Sequence, residues 1–345
     1  TPRVVDALTA TGVFRAGVPT SLDGGEVPLR TQLETFEEFA RIDGSVGWCA
    51  MIGAQTSSTA GFLPEAEAKT IFASPDVRIA GIVAPTGKAI QDGDRFRLSG
   101  RWSFGSGVTH SDWFALGALI GDPPDVRMLF MPTSDLVIED TWDVSGLRGT
   151  GSNHVRAEDV RVPISRSIAL PSPVPVHDGA LYRLPLFASL AVGVASVALG
   201  IARDALDELD TLAVGKTPTG QLRTLGQRSH IQRERAEAEA ELLAARSLLL
   251  ATVGRVWEHA EDGIEPAVAD RAALRLAATH AVRTATQVVD RAYEAGGGTS
   301  IFSESRLQRD FRDVHTITQH MIVGVPTLEV VGRVLLGVET DVTQL

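Results

Sequence analysis

Residues 100–113 read GRWSFGSGVTHSDW and lie between two segments that predict β-strands. The segment before them, DRFRLSG at 94–100, alternates polar and apolar side chains as a half-buried strand does. The segment after them begins WFALGALI, an apolar run typical of a buried strand. The glycines carry no Cβ atom, so this backbone can lie close to a flat or bulky group. His110 stands beside that backbone, where a titratable side chain could take part in chemistry.

A second glycine-rich segment, DTWDVSGLRGTGSNHVRAEDVRVP at 140–163, repeats this combination of tryptophan, glycine and small hydroxyl side chains before a predicted strand. Each segment alone is equally typical of a tight β-turn, with His110 as a surface residue. The two together favour a functional surface built from two loops of one β-domain.

The composition is that of a globular protein and limits the partners that the chain can have. Of its 345 residues, 44% are hydrophobic and 22% are charged, and the net charge of −11 disfavours nucleic acid or an anionic membrane as a partner. Cys49 is the only cysteine, so no disulfide can form within the chain, and we expect a reducing, cytoplasmic location. No cluster of histidines has the close spacing of a metal site, and we predict none.

Two features concern membranes and the chain start. Residues 186–202 are the most apolar segment, but their small side chains and the acidic continuation RDALDELD predict a helix buried in a bundle rather than a membrane span. The chain opens on TPRVVDAL, with no initiator methionine and no signal peptide. Because this opening reads as the inside of a helix, we expect that some preceding residues are missing.

Hydrophobic periodicity divides the chain into three predicted parts, of the α+β class. Residues 1–75 form an N-terminal helical domain, in which Ser45 is the candidate N-cap of an apolar helix. Residues 76–165 form a β-domain of short strands separated by turn signals, which predicts an antiparallel barrel or sandwich. Residues 166–345 contain four long helical segments with short loops, which predicts a four-helix bundle.

This order resembles the acyl-CoA dehydrogenase fold over essentially the whole chain. The motifs are most similar to its flavin-dependent monooxygenase branch, the oxygenase components of two-component systems such as 4-hydroxyphenylacetate hydroxylase. Besides the two glycine-rich segments, the resemblance is carried by ARIDGSVGW at 40–48, by GGTSIFSESRLQRDFRD at 297–313, and by His315 and His320. It implies a homotetramer, and a separate NAD(P)H:flavin reductase that supplies FMNH2 or FADH2 to a cleft between the β-domain and the bundle.

The resemblance also implies the chemistry and the residues of the site. Reduced flavin and O2 would form a C4a-hydroperoxide that hydroxylates a small substrate, aromatic, phenolic or polyketide-type. Ser152 is then expected to contact flavin N5, and His110 to serve as acid or base beside the substrate. Five positions along one helix turn His315 and His320 about 140° apart, so one helix face cannot present both. His320 is favoured as the catalytic histidine of the bundle, because the resemblance implies one just after the RD segment. The other expected flavin contacts are Trp102, Phe104, Ser106, Gly107 and Thr150 at the ring, and Arg223 and Gly297 at the phosphate end.

Three alternatives stay open at the level of sequence. The first is N- or S-oxygenation by the same flavin chemistry, because substrate contacts lie on variable loops. The second is an acyl-CoA dehydrogenase, which needs a carboxylate base where residues 311–326 read FRDVHTITQHMIVGVP, with histidines and no glutamate. The third is a helical scaffold without activity, since a fold by itself does not establish function.

Overall fold

The computed structural model describes all residues, 1–345, and begins with four helices. They are α1 (Pro2–Ala10), α2 (Leu29–Ile42), α3 (Gly44–Ser57) and α4 (Glu65–Ile71). In α2, the buried residues Leu29, Leu33, Phe36 and Ala40 recur on one face. The predicted cap of α3 is wrong: Asp43 accepts the N–H groups of Ser45 and Val46, and the Ser45 hydroxyl is left free for another contact.

Seven strands form one sheet in the middle of the chain. They are β1 (Ile79–Asp92), β2 (Arg95–Gly105), β3 (Trp113–Ile120), β4 (Asp125–Pro132), β5 (Val137–Glu139), β6 (Asn153–Pro163) and β7 (Ser167–Ala169), in the order β5-β6-β2-β1-β3-β4-β7. All neighbouring pairs are antiparallel except β1 and β3, which are parallel. The loop after β2 reverses the chain and carries it to the far edge of β1, so the antiparallel expectation fails at this pair.

The sheet register brings the two glycine-rich segments together. Gly105 at the end of β2 lies opposite Asn153 at the start of β6, so the loop that follows Gly105 and the loop that precedes Asn153 leave the sheet side by side. The sequence separation between them is large, but the antiparallel pairing of β2 with β6 places them at one end of the sheet. This end faces the helices.

The remaining helices are α5 (Ala180–Arg183), α6 (Leu186–Gly215), α7 (Ser229–Glu261), α8 (Val268–Gly296), α9 (Arg306–Thr318) and α10 (Pro326–Leu336). Helix α6 is long and apolar enough to span a membrane by composition, but 72% of its most apolar window is buried among the other helices. It packs mainly against α8 and α2. The predicted helical bundle therefore surrounds α6, and the predicted fold class is confirmed.

The buried residues group into cores that do not follow the predicted parts of the chain. The largest core joins α2 and α3 to the bundle helices α6 to α9. A second core lies within the β-domain. The boundaries at residues 75 and 165 stay a prediction; β7 carries the sheet past residue 165. One residue on the loop before β6, Leu147, is buried with the bundle core, and it anchors this loop to the helices.

Candidate active site

A chain of buried hydroxyl groups lies where the β-domain meets α3. Ser106 Oγ lies 2.7 Å from Ser152 Oγ, and Ser152 Oγ lies 2.7 Å from Thr150 Oγ1. At one end, Trp48 Nε1 donates to Ser106 Oγ at 3.0 Å. At the other end, Thr150 donates to the carbonyl oxygen of Leu147 at 2.8 Å. We refer to Ser106, Ser152 and Thr150 as the hydroxyl chain; all three are residues that the sequence predicts for the site.

The two ends of the hydroxyl chain determine the direction of every hydrogen bond in it. An indole N–H can only donate and a carbonyl oxygen can only accept, and each hydroxyl has one hydrogen. Thr150 uses its hydrogen on Leu147, so Ser152 must donate to Thr150, and Ser106 must donate to Ser152. Ser152 is left with one free lone pair and no free hydrogen. It can therefore accept a further hydrogen bond from a ligand, but it has no spare hydrogen to donate.

His110 lies beside this chain on a short 3-10 turn, Val108–His110. Gly107 precedes the turn with φ +78°, and a Cβ atom there would lie 3.4 Å from His110 Nε2, so the ring covers the glycine backbone. On its other side the ring centroid lies 6.4 Å from that of Phe14. Burial lowers the pKa of His110, and the positive charge of Arg78 lowers it further. The imidazole is thus neutral near pH 7, as a base must be.

His320 reaches the same region from the bundle, although not from a helix. Helix α9 ends at Thr318, so the angular argument that places both histidines on one helix does not apply to His320. Its ring centroid lies 5.5 Å from that of Trp48, and its Nδ1 accepts the N–H of Ile322 at 3.3 Å. The neutral ring therefore carries its hydrogen on Nε2. Burial lowers the pKa of His320 to about 4, with the charge of Arg275 adding to the effect.

His315 faces a different element. Its Nε2 lies 2.8 Å from Asp290 Oδ1 on α8, and its ring stacks on Phe311 with 4.4 Å between centroids. These contacts give His315 a role in joining α9 to α8. Of the two histidines that follow the RD motif, His320 is the one that contacts Trp48, and through Trp48 it lies next to the hydroxyl chain.

The loop that carries Thr150 is held on both sides. Leu147 N–H donates to Asp313 Oδ1 on α9 at 2.6 Å, and Gly149 N–H donates to Ser45 Oγ on α3 at 3.2 Å. Gly146 lies so close to α9 that a Cβ atom would come within 2.1 Å of the carbonyl oxygen of Arg312. The loop is therefore seated on two helices as well as on the sheet, and the hydroxyl chain is fixed relative to both.

Comparisons with known proteins agree with this arrangement. Residues 192–324 match the family model described as acyl-CoA dehydrogenase, C-terminal domain. An indole-3-acetate monooxygenase from Pseudomonas putida is 35% identical over 337 residues, which cover 97% of this chain and 86% of the relative. The oxygenase component of an FADH2-dependent resorcinol hydroxylase from Rhizobium sp. is 27% identical, with coverage of 97% and 87%. The chain belongs to the flavin-dependent monooxygenases of the acyl-CoA dehydrogenase fold.

A solved structure gives the same result for the fold. XiaF from Streptomyces sp., in complex with FADH2 and glycerol, superposes with a TM-score of 0.91 at 25% identity, over 97% of this chain and 88% of that chain. The predicted family, activity class and use of reduced flavin with O2 are confirmed. This monooxygenase is therefore an enzyme and not a bare scaffold.

The dehydrogenase alternative is not supported by the carboxylates near the site either. Asp313 is the carboxylate on α9 that approaches the loop before β6, and its oxygen is bonded to the Leu147 N–H. A base for removing a substrate proton must be free to reach that proton. In the monooxygenase the side chains beside the hydroxyl chain are instead neutral imidazoles, His110 and His320.

Trp102 and Phe104, two residues predicted to contact the flavin ring, differ in their exposure to solvent. Trp102 is completely buried in the β-domain core and donates its indole N–H to the carbonyl of Gly117 at 2.8 Å. A side chain without exposed surface cannot stack on a bound ring, so we do not retain Trp102 as a contact of the flavin ring.

Phe104 is 68% exposed and has φ +69°, which is rare for an aromatic residue. Its ring meets that of Trp142 edge-on, with 6.2 Å between centroids. The ring also meets that of His154 edge-on at 6.5 Å, and the surface that stays exposed suits a ligand contact.

Arg223 and Gly297 follow the C-terminal ends of α6 and α8. Lys216, at the end of α6, donates from Nζ to the carbonyl of Gly296 and the hydroxyl of Thr299, so these two helix ends are joined. Neither residue forms a hydrogen bond with the hydroxyl chain, and α9, about 20 Å long, lies between the Gly297 loop and His320. Within one chain, the predicted phosphate contacts and the predicted ring contacts are thus two separate groups.

A cavity of about 670 Å³ lies between α2, α6 and α9. Its charged side chains pair with one another: Arg41 with Asp207 at 2.7 Å, and Arg306 with the buried Asp204. Such pairing leaves no excess charge to attract a phosphate, and the predicted site residues are absent from its lining, which consists of Glu38, Arg41, Ile42, Asp204, Asp207, Arg306 and Arg309.

Trp48 and Asp313 are the site residues to which the sequence analysis gives no role. Both stand inside motifs that carry the family resemblance, at the ends of ARIDGSVGW and of the RDFRD segment. Their partners lie 58 and 166 residues away in the chain. Local sequence patterns do not predict contacts between residues so far apart. The only signal in the sequence for Trp48 and Asp313 is therefore their position inside these motifs.

Proposed function

We propose that this monooxygenase hydroxylates a small aromatic substrate of the indole or phenol type. Two lines of support are available: relatives named for indole-3-acetate and resorcinol share most of the length of this chain, and the surroundings of the hydroxyl chain are aromatic. The aromatic side chains are Trp48 and His320 on one side and Phe14 and His110 on the other. No observation favours nitrogen or sulfur as the atom that is oxygenated.

The observation that carries the proposal is the free lone pair of Ser152, buried in a hydroxyl chain between two neutral histidines. Reduced flavin has an N5–H group, and the chemistry that it supplies when bound is the activation of O2. Ser152 would accept the N5–H, with Ser106, Gly107 and Thr150 forming the wall around it and Phe104 the exposed edge. The hydrogen-bonding capacity left in the hydroxyl chain fits this group, because it offers an acceptor where the flavin has a donor.

The two histidines have complementary roles in this proposal. His110, half-buried and neutral, would hold or remove a substrate proton. His320, with its hydrogen on Nε2 and its pKa lowered to about 4, stays neutral and would donate a hydrogen bond without adding a charge. Trp48 contacts the His320 ring and donates its indole N–H to the buried Ser106. A buried site of this kind would protect a reactive flavin from side reactions with solvent.

The remaining parts of the proposal concern assembly. Arg223 and Gly297 would hold the flavin phosphate of a neighbouring subunit in a homotetramer, since they do not reach the hydroxyl chain of their own subunit. The name of the resorcinol hydroxylase relative, an oxygenase component, supports a separate NAD(P)H:flavin reductase as the source of FMNH2 or FADH2. Cys49 is the only cysteine, so no disulfide can form within the chain, which supports the cytoplasmic location proposed from the composition.

The test is an anaerobic titration of the protein with FMNH2 and FADH2, followed by aeration in the presence of indole-3-acetate or resorcinol. The wild type should bind reduced flavin and form hydroxylated product. Ser152→Ala should release roughly tenfold more hydrogen peroxide per product, as expected from the loss of one hydrogen bond of about 1.4 kcal/mol. The exposed Ser303 supplies the control Ser303→Ala. Coupling that is unchanged in Ser152→Ala would remove Ser152 from the site.

A further inference from the structure

We propose that Asp313 is a positioning residue, which fixes the direction of the hydroxyl chain through the backbone of Leu147. This inference rests on the proposed function, in which Ser152 accepts a hydrogen bond from the flavin. Asp313 lies on α9 and is 5% exposed, and its hydrogen bond goes to Leu147 rather than to a hydroxyl. It therefore acts on Ser152 only through the intervening loop.

The loop at residues 146–151 packs closely against α9. A Cβ atom at Gly146 would lie 2.1 Å from the carbonyl oxygen of Arg312 and 2.5 Å from Thr316 Oγ1, so backbone lies on backbone. Leu147 has φ +51°, which costs a leucine about 1–2 kcal/mol. Such a conformation persists only when its surroundings hold it. The 2.6 Å hydrogen bond from Leu147 N–H to Asp313 is the polar contact that joins Leu147 to α9, whereas its carbonyl oxygen is bonded to Thr150 and Trp142 between β5 and β6.

Leu147 joins the bundle to the hydroxyl chain. Its side chain is buried in the bundle core and its N–H is bound by α9. Its carbonyl oxygen accepts the Thr150 hydroxyl at 2.8 Å and the Trp142 indole N–H at 3.1 Å. If this carbonyl moved, the Thr150 hydrogen could turn toward Ser152, and the Ser152 hydroxyl would no longer be committed to donating. The free lone pair of Ser152 would then lose its fixed direction.

The charge of Asp313 strengthens its hold on the loop, since a hydrogen bond to an ionised group is stronger than a neutral one. Burial, with Asp43 adding to it, raises the pKa of Asp313 to about 6, although the Leu147 N–H, Arg309 and Arg312 act in the opposite direction. Asp310 lies on the same helix, and its own pKa is raised by burial and by Asp204 on α6, which is paired with Arg306 and Arg309. The hold on the loop should therefore weaken as the pH falls through about 6.

The experiment compares the wild type with Asp313→Asn and Asp313→Leu, without flavin and with it. In the flavin-free protein, amide hydrogen exchange is followed in a peptide that covers residues 146–152, with the β1–β2 hairpin as internal reference. Asp313→Leu should exchange roughly ten- to a hundredfold faster in this peptide, as expected from the loss of one charge-assisted hydrogen bond. Asp313→Asn keeps an acceptor oxygen and should stay within a few fold of the wild type. Asp290→Asn, on α8, is the matched control.

The second readout is the ratio of peroxide to product between pH 5 and pH 8. In the wild type this ratio should rise below about pH 6. Asp313→Asn should show a smaller rise, because it has no proton to gain at this position and only the protonation of other groups, such as His110, still contributes. Asp313→Leu should resemble Ser152→Ala at every pH. A role limited to stability would lower the melting temperature and leave the shape of the pH profile unchanged.

The outcomes separate this proposal from the proposed function. If the wild type binds no reduced flavin, the proposed function fails, and the exchange data alone decide whether Asp313 holds the loop. If the wild type turns over and Asp313→Leu shows wild-type exchange and coupling, the positioning role is refuted while the function stands. If Asp313→Leu does not fold, Asp313→Asn alone decides the matter. A ratio of peroxide to product that changes with pH in Asp313→Asn as it does in the wild type then refutes the positioning role.

Discussion

Replacing His320 by asparagine should remove a large part of the acid sensitivity of this monooxygenase. His320 caps the short 3-10 helix Met321–Val323 by accepting the N–H of Ile322 on Nδ1. Asparagine is a good cap and can accept the same N–H through its side-chain oxygen, but it does not titrate. The substitution therefore keeps the local hydrogen bond and removes only the proton-binding group.

The magnitude follows from the pKa of His320. Burial lowers it from 6.5 to about 4, so at pH values between these two the unfolded chain binds a proton that the folded chain does not. The free energy of unfolding therefore falls as the pH is lowered from 6.5 to about 4, by about 3 kcal/mol in total. By pH 5 the loss should already be about 2 kcal/mol. Asp313 opposes this trend, because its raised pKa of about 6 makes the folded state the better proton binder.

Urea denaturation of the wild type and His320→Asn at pH 7.5, 6.0 and 5.0, at one protein concentration, measures the effect. The difference between the two proteins isolates His320, since the contribution of Asp313 is common to both. We expect that difference to change by about 2 kcal/mol between pH 7.5 and pH 5.0 in favour of the variant. His280, which is exposed on α8, provides the control His280→Asn.

Parallel pH profiles for the wild type and His320→Asn would refute the reasoning. They would mean that the imidazole is protonated at no extra cost in the folded protein, and hence that the side chain is not held neutral beside Trp48. If the free energies of unfolding of the two proteins differed by the same amount at every pH, the difference would come from the changed N-cap and not from the titration of His320.

Three further substitutions test other parts of the site. Gly146→Ala should destabilise the protein by about 3 kcal/mol in urea, because its Cβ atom would overlap the backbone of α9, whereas Gly254→Ala, with nothing within 4 Å, should not destabilise it. His110→Ala should lower product yield while O2 consumption continues, and equal yields from the variant and the wild type would exclude a catalytic role. Trp48→Phe keeps a ring but deprives Ser106 of its donor, so it should cost about 1 kcal/mol of stability and increase peroxide release; a well-coupled variant would contradict the order of the hydroxyl chain.

Local sequence patterns were sufficient to predict the fold class and the order of its parts. In each helix and strand the buried side chains recur at a regular spacing in the sequence, as Leu33, Phe36 and Ala40 do on one face of α2. The motifs with Ser106, His110 and Ser152 also pointed to the loops on which the candidate site is built. These residues stand where strands end, and strand ends are marked by glycine and small polar residues.

Tertiary structure alone decided how those residues are oriented and which others join them. Trp102 and Phe104 belong to one strand, yet one is in the core and the other is exposed, because a bulge in the pairing of β2 with β6 lies between Trp102 and Gly105. His320 leaves α9 because the helix ends at Thr318, an end point that helical periodicity did not locate. The hydrogen bond from Leu147 to Asp313 joins residues 166 positions apart. Contacts between residues so far apart in the sequence depend on how helices and strands pack together, and they cannot be predicted from a short segment.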